Sequence, residues 1–590
     1  MSKITGAAAH VADHNAEAPH AGWVFLVYSQ VDGSSLVTQL GLPQYSYFFV
    51  LDKFLPLLHR LGEVIVLTHP DEADAHFAAL QGQGRPCVFL SFTPPHYSYT
   101  PAHCPALTVF AWEFSNLPDE TWAGESGRDW RQVFRQQAGA IPLSTQTEAL
   151  VRHAMGADYP VKAIPVPVWD SFAAHRRQVR PARKCGQTLS LTAQVIDSRH
   201  YICSEQEFHL LRPEAQFNFP AFDQAQVQMT FSIDDEYAAY LGGFYESESW
   251  GTWSQMAAPW ILLPWRISGD IRLEIECAAY GPNVGRTIAV ECGGQTRPLS
   301  LTGSFQVHTL EFQIAATAPV IQFRGLSQTP VPGAVDPRTM GLGLRSLRLS
   351  CASKTTAVSA MSVKNLSLDG VVYTAVLNPA DERKNWRDLV TAFCFAFRER
   401  PDATLILKMT HRSLTSFLGK LHLLLQQCSP YACRVIAVHG YLDEDQFDAL
   451  IDASSYYVNA SLGEGLCLPL MEFMSCGVPA LATRNTAMLD YVDTDSHFVI
   501  ASSPAPTIWP HDPRHLIRTL QHRVNWQSIV DAYEDSYQVA QAQPERYQAM
   551  AQRGMEKMRA WASLQQTEQD LRALLVQALT RLGADEGASA

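Results

Sequence analysis

The spacing of hydrophobic residues changes twice along this chain, and this change constrains the fold more than any other feature. Between residues 22 and 172, short apolar runs alternate with helix-like stretches, which indicates βα units around a parallel sheet. From about 185 to 350, apolar residues recur at every second position, as at Ile271, Leu273 and Ile275. This period predicts antiparallel strands with one solvated face, as in a sandwich or jelly roll. The α/β pattern returns at about residue 368.

The length of the chain requires more than one domain. Its 590 residues exceed what one hydrophobic core accommodates, since single cores stop growing near ~250–300 residues. We therefore predict an α/β protein in which two Rossmann-like domains, 22–184 and 368–580, flank an inserted antiparallel β-sandwich at 185–351. A linker rich in Ser, Thr and Ala is predicted at 352–367, with a disordered leader at 1–21 and a tail at 581–590.

Charge and composition exclude some classes of partner. With 58 acidic and 45 basic residues, the formal net charge of -13 argues against a nucleic-acid-binding protein, which needs a basic surface. No apolar run approaches the ~18–20 residues of a membrane-spanning helix, and the first twenty residues lack the pattern of a secretory signal. The twelve cysteines include no CxxC pair, so we expect a reducing cytoplasm. Peripheral contact with the inner face of a membrane stays open.

The segment NASLGEGLCLPLMEFMSCGVPALAT, residues 459–483, carries the clearest sign of a binding site. It predicts a strand, a glycine-containing loop, a short helix and a second strand. Pro469 suits the first helical position and Gly477 the position just past the helix end. The loop at 463–468 would then lie at a helix N-terminus, where unpaired N–H groups and the helix dipole attract anions.

Two glutamates lie in this anion-attracting segment, Glu464 in the loop and Glu472 in the predicted first turn of the helix. Ionised carboxylates only accept hydrogen bonds, so a ligand that offers hydroxyls as well as phosphate would explain their presence. A nucleotide sugar offers both. The alternative is that Glu472 only complements the helix dipole and Glu464 is a solvated loop charge.

The same segment resembles the retaining glycosyltransferases of the GT-B fold, most closely family 4. That family typically reads EGFGLPLLEAMACGVPVVA where this chain reads EGLCLPLMEFMSCGVPALA, including the E-x7-E pattern from Glu464 to Glu472. The resemblance implies transfer of a sugar from a nucleotide-diphosphate sugar to an oligosaccharide or lipid-linked acceptor, with retention at the anomeric carbon. It implies no metal and no cofactor, an acceptor-side domain at 22–184 and a donor-binding domain at 368–580. A role in bacterial capsule or O-antigen synthesis is expected from the family.

On the donor side, the resemblance implies a role for each matching position. Glu472 would bind the ribose hydroxyls, and Glu464 would lie near the donor sugar as a catalytic group. The backbone of Gly465, Leu466 and Cys467 would contact the sugar and diphosphate, although Cys467 stands where the family has glycine.

Cationic residues for the diphosphate come in the family from a GRxxxxKG-like stretch, which here reads NPADERKNW. Lys384 matches the lysine. The family's arginine is absent from its usual place, and Arg383 is a candidate substitute. Lys408, in LILKMT, is a second candidate phosphate contact. For either lysine the alternative is a solvated surface charge.

On the acceptor side, the family's His-Asp pair is replaced. In TVFAWEFSNLP, Trp112 and Glu113 stand where that pair would be, so Glu113 is a candidate catalytic group and His96, in SFTPPHY, is its rival. Burial or a loop-stabilising bond is an alternative for both. Residues 32–35 match the position of the family's first glycine-containing loop.

Two further features leave alternatives open. The acids at 443–445 are predicted to cap a helix and to bind no metal. In the insert, Trp250 and Trp253 of GFYESESWGTWSQ are candidates for an acceptor or glycan surface, since aromatic rings stack on sugars. They would alternatively fill a core or contact a partner. The contrasting function is a non-catalytic carbohydrate-binding protein on a degenerate transferase frame.

Overall fold

The computed structural model describes residues 22–30, 45–81, 85–122, 124–173, 175–176, 181–200, 222, 225–233, 235–327, 338–351, 363–411, 415–510, 512 and 514–588. The predicted leader at 1–21, the glycine-containing loop at 32–35 and most of the predicted linker lie outside these residues. The chain divides into two compact units. The first comprises Met1–Leu189, Leu366–Arg412 and Tyr441–Ala590, and the second comprises Ser190–Asn365 and Ser413–Gly440.

The N-terminal part of the first unit is a parallel sheet covered by helices. Its strands are β1 (Trp23–Ser29), β2 (Gly62–Val66), β3 (Cys87–Phe92), β4 (Ala106–Phe110) and β5 (Gly139–Pro142). Its helices are α1 (Tyr45–Leu61), α2 (Ala73–Gln81), α3 (Trp130–Arg135), α4 (Thr145–Met155) and α5 (Val168–Ser171). The strand order is β2–β1–β3–β4–β5, and every adjacent pair is parallel.

The sequence pattern explains this arrangement. Val24, Phe25, Leu26 and Val27 of β1 are all fully buried, as expected for a strand covered on both faces. The βα units predicted for residues 22–172 are therefore confirmed. The apolar run at 161–168 contributes only an isolated bridge between Ala140 and Val161, and α5 begins at its last residue, Val168.

The described residues of 184–351 form strands with almost no helix. These are β6 (Lys184–Leu191), β7 (Gln194–Asp197), β8 (Gln226–Thr230), β9 (Leu241–Gly242), β10 (Thr252–Trp253), β11 (Trp260–Ala279), β12 (Thr287–Cys292), β13 (Gln295–Ser300), β14 (Gln306–Arg324) and β15 (Leu342–Cys351). The last eight belong to one antiparallel sheet of order β10–β15–β11–β14–β12–β13, in which β8 also pairs with β15 and β9 with β11.

One face of this sheet forms the core of the second unit. Ile271, Leu273, Ile275 and Cys277 of β11 are at most 2% exposed, and they pack with the inward residues of β14 and β15. The antiparallel, period-two prediction is therefore confirmed. Irregular pairing between Leu262 and Gly269 interrupts β11. That the insert closes into a two-layered sandwich stays a prediction.

The C-terminal elements return to α/β structure. The strands are β16 (Lys364–Leu377), β17 (Ala403–Met409), β18 (Arg434–His439), β19 (Tyr456–Asn459), β20 (Ala480–Thr483), β21 (His497–Ile500), β22 (Ser502–Ile508) and β23 (Arg518–Val524). The helices are α6 (Trp386–Ala396), α7 (Thr415–Cys428), α8 (Glu444–Ala453), α9 (Leu468–Ser475), α10 (Trp526–Ala542), α11 (Pro544–Ala562) and α12 (Leu564–Ala588). The predicted return of the α/β pattern is therefore confirmed.

Within the first unit these elements build a second parallel sheet, of order β21–β20–β19–β16–β17, to which β6 also adds by pairing with β16. In the second unit, β18 pairs antiparallel with β7, where Arg434 and Asp197 form a buried ion pair. The first unit therefore holds two parallel α/β sheets, as predicted. The carboxyl ends of β16 and β19, which are adjacent strands, place the loops that follow them at one edge of the sheet.

Candidate functional site

Helix α9 organises the segment that carried the sequence motif. The chain leaves β19 at Asn459, forms a loop, and enters α9 at Leu468 directly after Cys467. Gly477 lies just past the helix end with a φ of 76°, the left-handed conformation predicted for it. Glu472 is the fifth helical residue, so its predicted place in the first turn is wrong. The helix begins one residue before Pro469, which shifts Glu472 beyond the turn.

Glu464 and Lys384 form a buried ion pair in this loop. Lys384 Nζ lies 2.8 Å from both carboxylate oxygens of Glu464, although the two residues are eighty positions apart. The Glu464 side chain is 5% exposed and that of Lys384 is 21% exposed. Lys384 ends a 3₁₀ turn, Glu382–Lys384, which follows β16. The structure thus brings together the two residues that the family resemblance selected independently.

Hydrogen bonds and charges around Glu464 hold it ionised. Ser461 Oγ donates to the Glu464 carboxylate at 2.6 Å, and Asn459 Nδ2 donates at 3.3 Å. Burial alone would raise the pKa of Glu464, but Lys384 and Arg383 outweigh burial and lower it below its ordinary value. Burial would lower the pKa of Lys384, and Glu464 outweighs this effect and raises it.

Arg383 connects the turn after β16 to the glycine loop. Its Nη1 donates to the Gly463 carbonyl at 2.7 Å, and its Nη2 donates to Asp381 at 2.8 Å. The same guanidinium lies 3.3 Å from Glu113, which follows β4 in the N-terminal sheet. Arg383 is therefore close enough to Lys384 and Glu464 to share one site, and it is held by acceptors from both sheets.

Three backbone amides of the glycine loop have no hydrogen-bond acceptor among the described residues. In the described part of the chain, the N–H groups of Gly465, Leu466 and Cys467 make no hydrogen bond to the protein, whereas the neighbouring Glu464 N–H donates to Thr486 Oγ1 at 2.8 Å. These three amides precede α9, so the positive end of the helix dipole lies at the same place. The loop is thus chemically suited to an anion.

Cys467 adopts the conformation that usually requires glycine. Its φ is 62°, in the left-handed region, and it is the residue directly before α9. Its Sγ lies 3.1 Å from Asn459 Nδ2. Burial and, to a lesser extent, the nearby Glu464 carboxylate raise the pKa of the thiol. Cys467 therefore holds a left-handed backbone conformation without being a glycine.

The glycine loop lies directly against the N-terminal sheet. A Cβ atom at Gly465 would stand 2.8 Å from Ala111 Cβ and 2.9 Å from the Trp112 nitrogen. At Gly463 it would stand 3.2 Å from the Glu113 carbonyl oxygen. The absence of a side chain at Gly465 is thus what permits this contact. Burial raises the pKa of Glu113 although Arg383 opposes this rise. Glu113 therefore lies at the loop, where it pairs with Arg383.

Glu472 has a different environment from Glu464. It is buried, and burial raises its pKa to about 7. Lys53 of α1 lowers this pKa and Asp448 of α8 raises it, so these two charges are its neighbours. Asp448 in turn lies 2.8 Å from His175 Nε2. Glu464 therefore lies before α9 and Glu472 lies within it, and the two have separate partners. Glu472 does not join the Lys384 ion pair.

Lys408 and His96 lie outside the Glu464 ion-pair cluster. Lys408 is buried at the end of β17, its Nζ donates to Thr410 Oγ1 at 2.9 Å, and burial lowers its pKa to about 7. It is not the solvated surface charge of the alternative reading. The His96 ring lies 5.7 Å from Trp130 in a stacked arrangement and 5.9 Å from Trp509 edge-on. Packing in an aromatic cluster accounts for this histidine.

Several residues at the site were not singled out from the sequence. These are Asn459, Ser461 and Thr486, which bond within the glycine loop, and Lys53, which faces Glu472. Ser461 lies three positions before Glu464, and this short separation was the one feature of the sequence that could have indicated their hydrogen bond. Lys53 belongs to the opposite sheet, and nothing in its own sequence context distinguishes it from a surface lysine.

In the described ranges, no group of three or more His, Cys, Asp or Glu residues is arranged to hold a metal ion. Asp443 caps α8 by accepting a hydrogen bond from the Gln446 N–H, as predicted. Among the helices that the structure describes, none is long and apolar enough to cross a bilayer. Metal-independent chemistry stays a prediction.

Comparison with known proteins adds a family to this geometry. Residues 369–517 match the family model described as Glycosyl transferases group 1, and residues 221–351 match one described as Domain of unknown function (DUF7024). No curated protein matches the chain. The first match contains Lys384, Glu464 and all of α9, whereas the second coincides with most of the antiparallel insert.

Solved structures resemble the chain weakly. The C-terminal domain of a glycosyl transferase group 1 family protein from Francisella tularensis is 17% identical over 33% of this chain and 88% of its own, with a TM-score of 0.25. The pneumococcal O-GlcNAc transferase GtfA, in complex with UDP and GlcNAc, is 17% identical over 36% of this chain and 37% of its own, with a TM-score of 0.25. Anabaena Alr3699/HepE, in complex with UDP and glucose, is 9% identical over 94% of this chain and 99% of its own, with a TM-score of 0.39.

These TM-scores are too low to support an inference about function, so the family match carries the assignment. Residues 369–517, which match the glycosyl transferases group 1 family model, include the Lys384–Glu464 pair and the unpaired amides before α9.

Proposed function

We propose that this protein is a retaining GT-B glycosyltransferase of family 4 type, which moves a sugar from a nucleotide-diphosphate sugar to a saccharide acceptor. The observation that carries the proposal is the loop at 463–467. It presents three unpaired amides, the N-terminus of α9 and the charged Lys384 side chain at one place, inside the segment that matches the group 1 family. Two parallel α/β sheets in one unit support the GT-B architecture.

The leaving nucleoside diphosphate is the part of the reaction that these groups serve. As the bond to the anomeric carbon breaks, negative charge develops on the diphosphate. Oriented N–H dipoles and a fixed cation stabilise such charge without reorganising, and they are the largest contribution in many enzymes. The amide N–H groups of Gly465, Leu466 and Cys467 would donate hydrogen bonds to the phosphate oxygens, and Lys384 would supply the cation. This is the role for which metal-dependent transferases use a divalent ion.

Glu464 has two functions in this proposal. In the ligand-free protein it neutralises Lys384, which a buried cation requires. With donor bound, its carboxylate would accept hydrogen bonds from sugar hydroxyls while Lys384 turns toward the diphosphate. Glu472, on the other side of α9, would accept the ribose hydroxyls, and Lys408 is a further candidate phosphate contact. Glu113, which reaches Arg383 from the N-terminal sheet, is the candidate group for the acceptor hydroxyl.

Retention and the biological acceptor rest on the family pattern. We infer same-face transfer because the E-x7-E motif is that of retaining enzymes, and no described side chain beside Glu464 is placed as an obvious nucleophile. The acceptor would be an oligosaccharide or lipid-linked saccharide of a bacterial surface polysaccharide, and the reaction would occur in the cytoplasm or at the inner membrane face.

The test is a panel of nucleotide-diphosphate sugars incubated with the purified full-length protein. Donor binding is measured by calorimetry and release of nucleoside diphosphate by mass spectrometry, with lipid-linked saccharide mimics as acceptors. Glu464→Gln and Lys384→Met should each lower turnover by about 10²–10³-fold, the loss typical of removing one charge-stabilising group. Proton NMR of the first product formed would report the anomeric configuration.

A matched control separates this loss from general damage. Lys557 also pairs with an acid, Asp493, but both side chains are about one third exposed. Lys557→Met should leave donor turnover unchanged. If the folded wild-type protein neither binds nor hydrolyses any donor, or if Lys384→Met turns over as fast as wild type, the proposal is wrong.

A further inference from the structure

The aromatic residues of the insert lie on the sheet face that points away from the core. Trp253 of β10 pairs with Gly343 of β15. The neighbours of Gly343 in β15, Leu342 and Leu344, are fully buried in the core of the second unit. Because successive side chains of a strand point to opposite faces, Gly343 and Trp253 lie on the other face. The core-filling alternative for Trp253 is therefore wrong.

Four aromatic rings form a continuous cluster there, which we call the outer-face aromatic patch: Trp250, Trp253, Tyr280 and Phe305. Ring centroids of Trp250 and Trp253 lie 5.4 Å apart, those of Trp250 and Phe305 5.2 Å, and those of Trp253 and Tyr280 6.0 Å. All four side chains are partly exposed. None of the four belongs to the described core cluster that contains Ile271 and Leu273, and each ring keeps part of its surface in contact with solvent.

The patch is held rigidly by its surroundings. A Cβ atom at Gly343 would stand 2.8 Å from the Trp253 ring, so this ring packs directly on the strand backbone. The indole N–H of Trp250 donates to Glu248 at 2.8 Å. Aromatic rings fixed in this way provide contact area at little entropic cost when a ligand binds.

Paired charges border the patch and leave it close to neutral. Arg345 lies 3.9 Å above the Phe305 ring and pairs with Glu276 at 2.7 Å. Arg338 pairs with Glu248 at 2.9 Å. Each arginine is matched by a carboxylate, so the surface lacks the excess positive charge that a polyanion needs. The same side chains offer donors and acceptors at the edge of an apolar platform.

We propose that the outer-face aromatic patch binds a neutral saccharide chain. Pyranose rings have apolar C–H faces and a rim of hydroxyls, which matches an aromatic platform bordered by carboxylates and guanidinium groups. The sugar faces stack on Trp250 and Trp253, and their hydroxyls bond to Glu248 and Glu276. The site belongs to the second unit, and it does not depend on the proposed transferase reaction.

The test measures binding of neutral hexasaccharides to the full-length protein by calorimetry and saturation-transfer NMR. Maltohexaose, isomaltohexaose, cellohexaose and laminarihexaose are the probes, and polygalacturonate is the acidic comparison. Trp250→Ala and Trp253→Ala should each weaken the best neutral ligand at least tenfold, as expected for central aromatic contacts. Gly343→Ala keeps every ring but displaces Trp253, and it should weaken binding as well.

Controls separate this site from folding and from the transferase proposal. Phe395, an exposed aromatic residue of α6 in the first unit, is the matched control, and Phe395→Ala should leave hexasaccharide affinity unchanged. Circular dichroism confirms folding, and donor affinity is measured on the same variants. Loss of saccharide binding with intact donor binding supports the proposal. It is overturned if no hexasaccharide binds, if the tryptophan variants bind like wild type, or if polygalacturonate binds more tightly in a salt-sensitive manner.

Discussion

Replacing Lys384 with methionine should destabilise the glycine loop, because it leaves the Glu464 carboxylate buried without its cation. Lys384 Nζ lies 2.8 Å from both carboxylate oxygens of Glu464. Methionine preserves the length and apolar stem of lysine and removes only the charge. The expected effect is therefore close to the cost of one uncompensated buried charge, since little packing is lost.

The magnitude follows from what Glu464 keeps. Two opposite charges ~4 Å apart attract by about 4 kcal/mol at an effective dielectric of 20. Breaking a buried pair by removing one partner typically costs ~3–5 kcal/mol. Glu464 retains the nearby Arg383 charge and hydrogen bonds from Ser461 and Asn459, and Lys384 is 21% exposed, so water reaches part of the pair. We therefore expect a loss of about 2–4 kcal/mol at pH 7.

The loss should depend on pH in a defined direction. In the wild type the pKa of Glu464 is lowered, so its contribution to stability is present above the unfolded-state pKa and is lost as pH falls through the folded-state value. In Lys384→Met, burial would raise that pKa, so acid protonates the carboxylate and relieves the penalty. The gap between variant and wild type should be widest at pH 7–8 and narrow toward pH 4. Adding Glu464→Gln should recover about 1–3 kcal/mol at pH 7.

Hydrogen exchange measured by mass spectrometry is the suitable assay, because it reports the opening free energy of peptides covering 459–475 rather than of the whole chain. Lys557→Met is again the control, and its exposed pair should contribute at most ~1 kcal/mol. If Lys384→Met opens this loop no more readily than wild type, or if the gap widens in acid, the pair does not hold the loop as described.

Three further predictions concern single groups. Burial raises the pKa of Glu472 to about 7, so the wild-type protein loses stability as pH rises from ~4.5 to 7. The free energy of unfolding of Glu472→Gln, measured by urea titration, should therefore gain roughly 2–3 kcal/mol relative to wild type between pH 5 and pH 8. Burial lowers the pKa of Lys408 to about 7, so its penalty grows as pH falls from ~10 to 7. Lys408→Met should therefore raise the melting temperature more at pH 7 than at pH 9.5, and equal shifts would contradict the burial argument. Cys467 has a φ of 62°, so Cys467→Gly should be more stable than Cys467→Ala by about 1 kcal/mol in thermal unfolding, because only glycine adopts this conformation without strain.

The period of the hydrophobic pattern made the main elements predictable. Alternation at Ile271, Leu273 and Ile275 identified the buried face of β11, because side chains at every second position of a strand share one face of the sheet. In the same way, Pro469 and Gly477, which favour the start and the end of a helix, located α9 to within one residue. The pairing of Lys384 with Glu464 was foreseen only through the family resemblance, since no local pattern relates positions eighty residues apart.

What could not be predicted depends on contacts between distant segments. Lys53 lowers the pKa of Glu472 from α1, beside the N-terminal sheet, and the Thr486 side-chain hydroxyl accepts a hydrogen bond from the Glu464 N–H, 22 positions away. The face occupied by Trp253 was also undecidable, because β10 has only two residues and its register is set by β15. In each case the outcome is fixed by a partner strand or helix, and not by the residue's own neighbours.

The contact of Gly465 with Ala111 and Trp112 has a consequence for the variation that position 465 tolerates. Since even a methyl group at Gly465 would clash, a larger residue there would force the glycine loop away from the segment that follows β4. The two segments are therefore constrained together at this position, and a change in one has to be matched by a change in the other.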